Sequence, residues 1–311
     1  MDGADSAPAK LCAVSVDLDE IPFYFQIHGL SAPGGAAHAV FDVALSRLEA
    51  WAASVAIPLT LFTIGATLKR AENGPKLRAL VEKGHEVGNH TLSHRYELTR
   101  LSRAEMQTEL ERGQDVIEQA AGVRPVGFRA PGYTVSDELL DVAARAGFLY
   151  DSSVFPCPVY WAAKAAAIGH IRARGRQSHS ILDTPRVLTA PTQPYRIGAP
   201  YWSRGHGLLE LPIQVTRGLR LPFIGTSLTL AGARVARRLT RMVIGDALVN
   251  LELHGIDVLD TNDGLQPLAG HQPDVKIPHA RKLETLTIVV QTLREAGYRF
   301  VRLDEAASAL G

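Results

Sequence analysis

At 311 residues, with 46% hydrophobic and 21% charged side chains, the chain can bury one large α/β core, and its composition is not that of a disordered, fibrous or membrane-embedded protein. Its two cysteines, Cys12 and Cys157, are too few for the disulfide framework of a small secreted domain. The net charge of +1 argues against a uniformly basic nucleic-acid binder, yet thirteen Lys and Arg face two acids, Asp183 and Glu210, between Tyr160 and Gly245. Charge segregated in this way makes either a cationic field for phosphates, anionic lipids or acidic polymers, or a solvated basic surface. The N-terminal MDGADSAPAK carries acids and no long apolar core, and LCAVSV after it is too short for a signal peptide or a span. A cytoplasmic location is therefore expected.

Strand and helix signals alternate along the chain. LCAVSVDLD reads as a buried strand ending in Asp17 and Asp19. AVFDVALSRLEAWAAS has helical spacing at Val40, Val43, Ala44, Leu48 and Trp51, and IPLTLFTIG is a second strand stopped by Gly65. GPKLRALVEKG is a helix with Gly84 just past its end, and HEVGNH a short third strand leading into His90 and His94. LSRAEMQTELERGQDVIEQAAG is a long helix with Ser102 as N-cap and Glu105 completing a capping box. VGFRAPGYT is a strand running into the Pro131-Gly132 turn, SDELLDVAARAG a helix, and FLYDSS a strand end. GHGLLELP around Glu210 resembles a strand and turn found in related chains, which implies that it lines the cleft, and AGARVARRLTRMV reads as a basic amphipathic helix. ALVNLELHG, ARKLETLTIVVQTLREAG and YRFVRLDEAASAL supply a strand, a helix and a last strand and helix. This alternation predicts a parallel sheet or barrel with helices outside and chemistry at the carboxyl ends of the strands.

Asp17, Asp19, His90, His94, Arg129, Asp151 and His254 all fall at that end of their strands. Each alone has an ordinary explanation as a cap, a surface ion pair or a core residue; together they predict a site. His90 and His94, four apart, face one way if the chain makes a helical turn there, and can then close on one metal ion.

SVDLDE, NHTLSH, FRAPGY, YDSS and LELHG, in this order, resemble the five motifs of the NodB-homology polysaccharide deacetylases, carbohydrate esterase family four. LTLFTIG and KGHEVGNHT resemble the same family's second strand and its approach to the third. The resemblance covers roughly residues 11–155 and 246–305. It implies a distorted (β/α)7-type barrel, here a single catalytic domain over residues 1–311, with residues 156–245 as a family-atypical basic insertion or lid. It also implies metal-dependent removal of an N-acetyl group from an amino sugar, glycolipid or related glycoconjugate. Deformylation and cyclic-amide hydrolysis are the neighbouring chemistries, and a glycan- or lipid-binding module without turnover is the alternative from another class.

By analogy with that family, Asp19 joins His90 and His94 as metal ligand, Asp17 is the general base and Arg129 orients it. In the Pro131-Gly132-Tyr133 turn, the backbone N–H of Tyr133 stabilises the oxyanion. His254 protonates the leaving amine, Asp151 tunes it, and Leu253 walls the acyl pocket. Water at neutral pH attacks an amide poorly until a metal lowers its pKa, and two imidazoles with one carboxylate suit zinc while admitting cobalt, nickel or manganese.

In the basic segment, Arg234, Arg237, Arg238 and Arg241 form one helical stripe and Val235, Leu239 and Met242 another. An outer barrel helix has this pattern, and so does a helix at the inner face of a membrane. A basic cleft is compatible with lipid-phosphate-linked amino sugars, nucleotide sugars and soluble glycosylated metabolites.

Overall fold

The computed structural model describes residues 10–31, 34–173, 175 and 178–311; Arg174 and Arg176, counted in the basic segment, lie outside the described residues. The first strand, β1 (Leu11–Asp17), is buried at every position, as a parallel strand covered on both faces must be. After it come β2 (Thr60–Thr63), β3 (Glu86–Asn89), β4 (Gly127–Phe128), β5 (Tyr150–Asp151), β6 (Tyr195–Ile197), β7 (Arg204–Glu210), β8 (Leu248–His254) and β9 (Arg299–Phe300). The sheet runs β6-β7-β5-β4-β3-β2-β1-β8, with β9 beside the start of β1. Among these strands only β6 and β7 pair antiparallel.

Register brings the strand ends level. Asp17 lies opposite Phe62 on one side and His254 on the other, and one residue further on Thr63, Asn89, Phe128, Asp151 and Glu210 form a row in successive pairs. The gap between β7 and β8 is bridged by the irregular segment after β7. Gln214 N–H donates to the Asn250 carbonyl at 3.1 Å, and Asn250 Nδ2 donates to the carbonyls of Leu211 and Pro212 at 2.9 and 3.2 Å. The predicted barrel is thus a curled sheet closed partly by side-chain hydrogen bonds.

The helices are α1 (Ile21–Ile27), α2 (Leu45–Ser54), α3 (Asn73–Glu82), α4 (Arg103–Ala121), α5 (Asp137–Arg145), α6 (Pro158–Ala173), α7 (Gly225–Arg241), α8 (His279–Glu295) and α9 (Leu303–Leu310). Ser102 and Glu105 form the predicted capping box on α4, satisfying two otherwise orphaned N–H groups. The main core fills the space between one sheet face and the outer helices, with Val14, Val16, Trp51, Leu251, Val289 and Leu293 among its members.

The basic segment is woven into this architecture: β7 pairs with β5. In α7, Leu228 and Ala236 are buried while Arg234, Arg237, Arg238 and Arg241 are exposed or partly so, as in the outer-helix arrangement. The predicted apolar stripe is only partly right, because Val235 is 42% exposed. Gly232 (φ 74, ψ 166) breaks the helix and rephases its second half, so Ala236 and Thr240 turn inward instead. Among the described residues, no helix is long and apolar enough to cross a membrane.

Candidate active site

Leu18 prolongs β1, its N–H donating to the Phe62 carbonyl at 3.0 Å, and it is fully buried in the core. Strand alternation then places Asp17 and Asp19 on the other side together. Asp19 Oδ1 lies 3.3 Å from His90 Nε2, and Oδ2 lies 3.3 Å from His94 Nε2. All three residues are buried, and their ligand atoms lie within 4.8 Å of one another. His90 Nδ1 is 2.8 Å from the Arg129 carbonyl, which places that ring proton and leaves Nε2 free to coordinate. Asp19 Oδ1 and both His94 nitrogens are buried without a hydrogen-bond partner. Buried polar atoms are rarely left so, and two imidazoles with a carboxylate converging in this way fit a divalent cation. Burial alone would raise the Asp19 pKa, but His94 and His90 hold it well below the usual carboxylate range, and burial lowers that of His94.

The two histidines do not meet on a helical turn, contrary to the expectation from their spacing. Thr91 (φ 67) and His94 (φ 56) take left-handed conformations in a loop. Thr91 N–H donates to Asn89 Oδ1 at 2.7 Å, and Thr91 Oγ1 accepts from His94 N–H at 2.9 Å. These bonds hold a backbone that costs roughly 1–3 kcal/mol per strained residue. On α4, a Cβ at Gly113 would come within 2.9 Å of Asn89 Oδ1, so glycine there lets the helix close on the loop.

Arg129 is fully buried. Its Nη1 donates to Asp17 Oδ1 at 2.7 Å, Nη2 to Ser15 and Ser152 hydroxyls at 2.9 and 2.8 Å, and Nε to the Ser152 carbonyl at 2.7 Å. The guanidinium lies 4.2 Å from the centre of the Phe62 ring. Asp17 is thereby fixed through Oδ1. Its Oδ2 points between two imidazoles, 3.8 Å from His90 Nε2 and 4.0 Å from His254 Nε2.

His254 closes β8, and its Nδ1 lies 2.8 Å from Glu252 Oε1, a short ion-pair distance. Burial would favour the neutral ring, but Glu252, with Asp17 and Asp19 behind it, holds the His254 pKa well above the usual histidine value. Glu252 is a site residue that the motif reading passes over; its signal is the i, i+2 spacing in LELHG, which puts both side chains on one face of the strand. Three expectations are corrected here. Leu253 faces the opposite way into the main core and walls no acyl pocket. Asp151 accepts from Ser153 Oγ at 2.7 Å and from Ser153 N–H at 3.2 Å, so it does not tune His254. Glu210 is fully buried, accepts from Val154 N–H at 3.0 Å and lines no cleft.

Pro131 is buried and opens the turn, Gly132 (φ 61) lines the cavity, and Tyr133 (φ 57) comes next. The Tyr133 N–H donates to the Ala130 carbonyl at 3.2 Å, so an oxyanion there must compete with that long bond. Tyr133 Oη lies 3.3 Å from His254 Nε2. Asp17, Asp19 and His254 open into a cavity of about 340 Å³ walled by Tyr24, Tyr96, Tyr133 and Tyr160. The hydroxyls of Tyr24 and Tyr96 are buried without partners. Tyr24 and Tyr160 come from α1 and α6, helices whose sequences carry no clear periodic signal. Cys157 is buried, and burial raises its thiol pKa, consistent with packing.

Residues 52–150 match a protein-family model described as Polysaccharide deacetylase. That stretch holds His90, His94, Arg129 and Tyr133, while Asp17, Asp19, Glu252 and His254 lie outside it. A peptidoglycan deacetylase of Helicobacter pylori is 26% identical over 147 residues, covering 46% of this chain and 49% of that protein. A peptidoglycan deacetylase-like protein of Gibberella zeae is 36% identical over 77 residues, 25% of this chain and 22% of that protein. The chain thus spans less than half the length of these curated relatives. Among solved structures, a putative polysaccharide deacetylase from Mycobacterium smegmatis superposes with a TM-score of 0.58 at 19% identity, covering 96% of this chain and 90% of that one. A family-four carbohydrate esterase pseudoenzyme from Bacillus anthracis gives 0.50 at 14% identity, covering 97% and 66%. At such identities the structural likeness is one of fold.

Proposed function

We propose that the chain is a NodB-homology polysaccharide deacetylase of carbohydrate esterase family four, a reading supported by the family-model match over residues 52–150 and the partial likeness to peptidoglycan deacetylases, and that it is a metal-dependent hydrolase removing an N-acetyl group from an amino sugar or related glycoconjugate. One observation carries the reading. A candidate cation site, an arginine-held carboxylate and a glutamate-held histidine face one cavity.

Asp19, His90 and His94 would hold the cation, with zinc the best fit to their donor atoms and cobalt, nickel or manganese the alternatives. A divalent ion there supplies polarisation of the acyl carbonyl and a lowered pKa for water. Asp17 takes the proton of the attacking water on Oδ2, the oxygen Arg129 leaves free. His254, its proton retained by Glu252, delivers it to the departing nitrogen. The unpartnered hydroxyls of Tyr24 and Tyr96 are available donors for charge developing on the carbonyl oxygen. A pure binding module would need no base, orienting arginine and acid converging on one point. The free, buried Cys12 and Cys157 are in keeping with a reducing, cytoplasmic location, which we propose on that ground.

The test is metal content by mass spectrometry together with acetate release from N-acetylated amino sugars. Near-stoichiometric divalent metal, lost in a His90→Ala, His94→Ala double variant, is expected. Asp17→Asn should retain the metal and lose activity by a factor on the order of 10²–10⁴. Unchanged turnover in Asp17→Asn would sink the mechanism.

A further inference from the structure

Helix α6 is an unusual wall for an enzyme cavity. Of its residues only Ile168 is buried, yet Tyr160, Ala163, Lys164 and Ala167 line the space that holds Asp17 and His254. Among the described residues, Lys164 is the one lysine or arginine lining that cavity. Its Nζ donates to the Gly132 carbonyl at 2.7 Å, a neutral partner, and lies 5.9 Å from the centre of the Tyr160 ring. The acid that acts on it is Asp183, which makes no ion pair with it and whose Oδ1 accepts from the Tyr201 hydroxyl and the Thr184 N–H. Burial lowers the Lys164 ammonium pKa to about 8, with Asp183 opposing that shift only through space. The side chain keeps some solvent access, so an incoming ligand can reach it.

An ammonium drawn from bulk water without a carboxylate partner is unfavourable until an anion meets it. We propose that Lys164 recognises an anionic group, a phosphate or a carboxylate, on the substrate held in this cavity. The assignment rests on the hydrolase reading for the identity of the reacting bond. Lys164 holds Gly132, next to Tyr133, whose hydroxyl touches His254. The anionic group and the scissile amide therefore belong to the same or an adjacent sugar unit. A Lys164 that served only to latch α6 onto the Gly132 turn would not distinguish charged from neutral ligands.

The experiment compares N-acetylglucosamine 1-phosphate, N-acetylmuramic acid and the neutral methyl glycoside of N-acetylglucosamine on the full, metal-loaded chain. The anionic probes are expected to have KM values lower by roughly tenfold or more, the worth of one charge-assisted hydrogen bond. Lys164→Met should erase that preference and Lys164→Arg should restore part of it. Which anionic probe wins separates phosphate from carboxylate. Equal KM values for charged and neutral probes, or a preference surviving in Lys164→Met, overturns the assignment. If the wild-type protein turns over none of the probes, the deacetylase reading has failed. Lys164 is then judged by calorimetric binding of the same probes to Asp17→Asn with and without Lys164→Met, where charge-independent binding or no binding overturns it.

Discussion

The floor and the α6 wall of the cavity are built in opposite ways. The floor is made of strand ends in register, and Arg129, Asp17, His90 and Glu252 are almost completely buried there. The wall is an alanine-rich helix that buries one residue. Groups that handle protons and a cation need fixed positions, whereas a wall that reads substrate can vary at little cost to stability. On the proposed reading, the difference separates reaction from recognition within one cavity.

The largest effect expected from breaking this contrast is at Arg129. Arg129→Met leaves Asp17 buried and unpaired, so chemical denaturation should show a loss of about 3–5 kcal/mol, with hydrolysis abolished. Wild-type stability in that variant would mean the floor is not rigidly coupled.

Next comes Glu252→Gln, with an effect on the pH profile. Glu252 holds His254 protonated well above the usual pH, so an activity requiring the acid form persists on the alkaline side and falls as pH rises through the raised pKa. The substitution should move that fall to lower pH. The stability contributed by the pair is complete below the unfolded histidine pKa of about 6.5 and is lost as pH rises through the folded value; the variant should lack this dependence. An unmoved alkaline limb of the rate profile would remove Glu252 from the mechanism.

The smallest effect sharpens the comparison from the other side. Lys164→Met should change unfolding free energy by no more than about 0.5 kcal/mol, measured by the same denaturation, because α6 is packed so lightly. A larger loss would make the wall a structural element.

Much of the floor is legible in the sequence, for a local reason. Polar residues closing apolar runs mark strand ends, and Ser102 with Glu105 marks a helix start that the fold reproduces. His90 and His94 are legible as a pair but not in conformation, because the left-handed Thr91 is held by Asn89 from the end of β3. Leu253 and Asp151 are misplaced by sequence reasoning because a motif gives proximity along the chain without saying which face of a strand a side chain occupies. Strand alternation carries that information for Glu252 and His254, once β8 is known to have one side toward the site.

The sequence by itself determined the alternating α/β plan, the strand ends where polar residues gather, and the residue types for a candidate cation site and for the base and acid proposed beside it. These features come from periodicity and from chemistry that only a few side chains can perform. Tertiary structure alone decided that four tyrosines enclose the candidate site and that Lys164 stands beside Gly132 without an acidic partner in contact. Those arrangements join residues far apart in the chain, and only the curl of the sheet and the path of α6 bring them within reach.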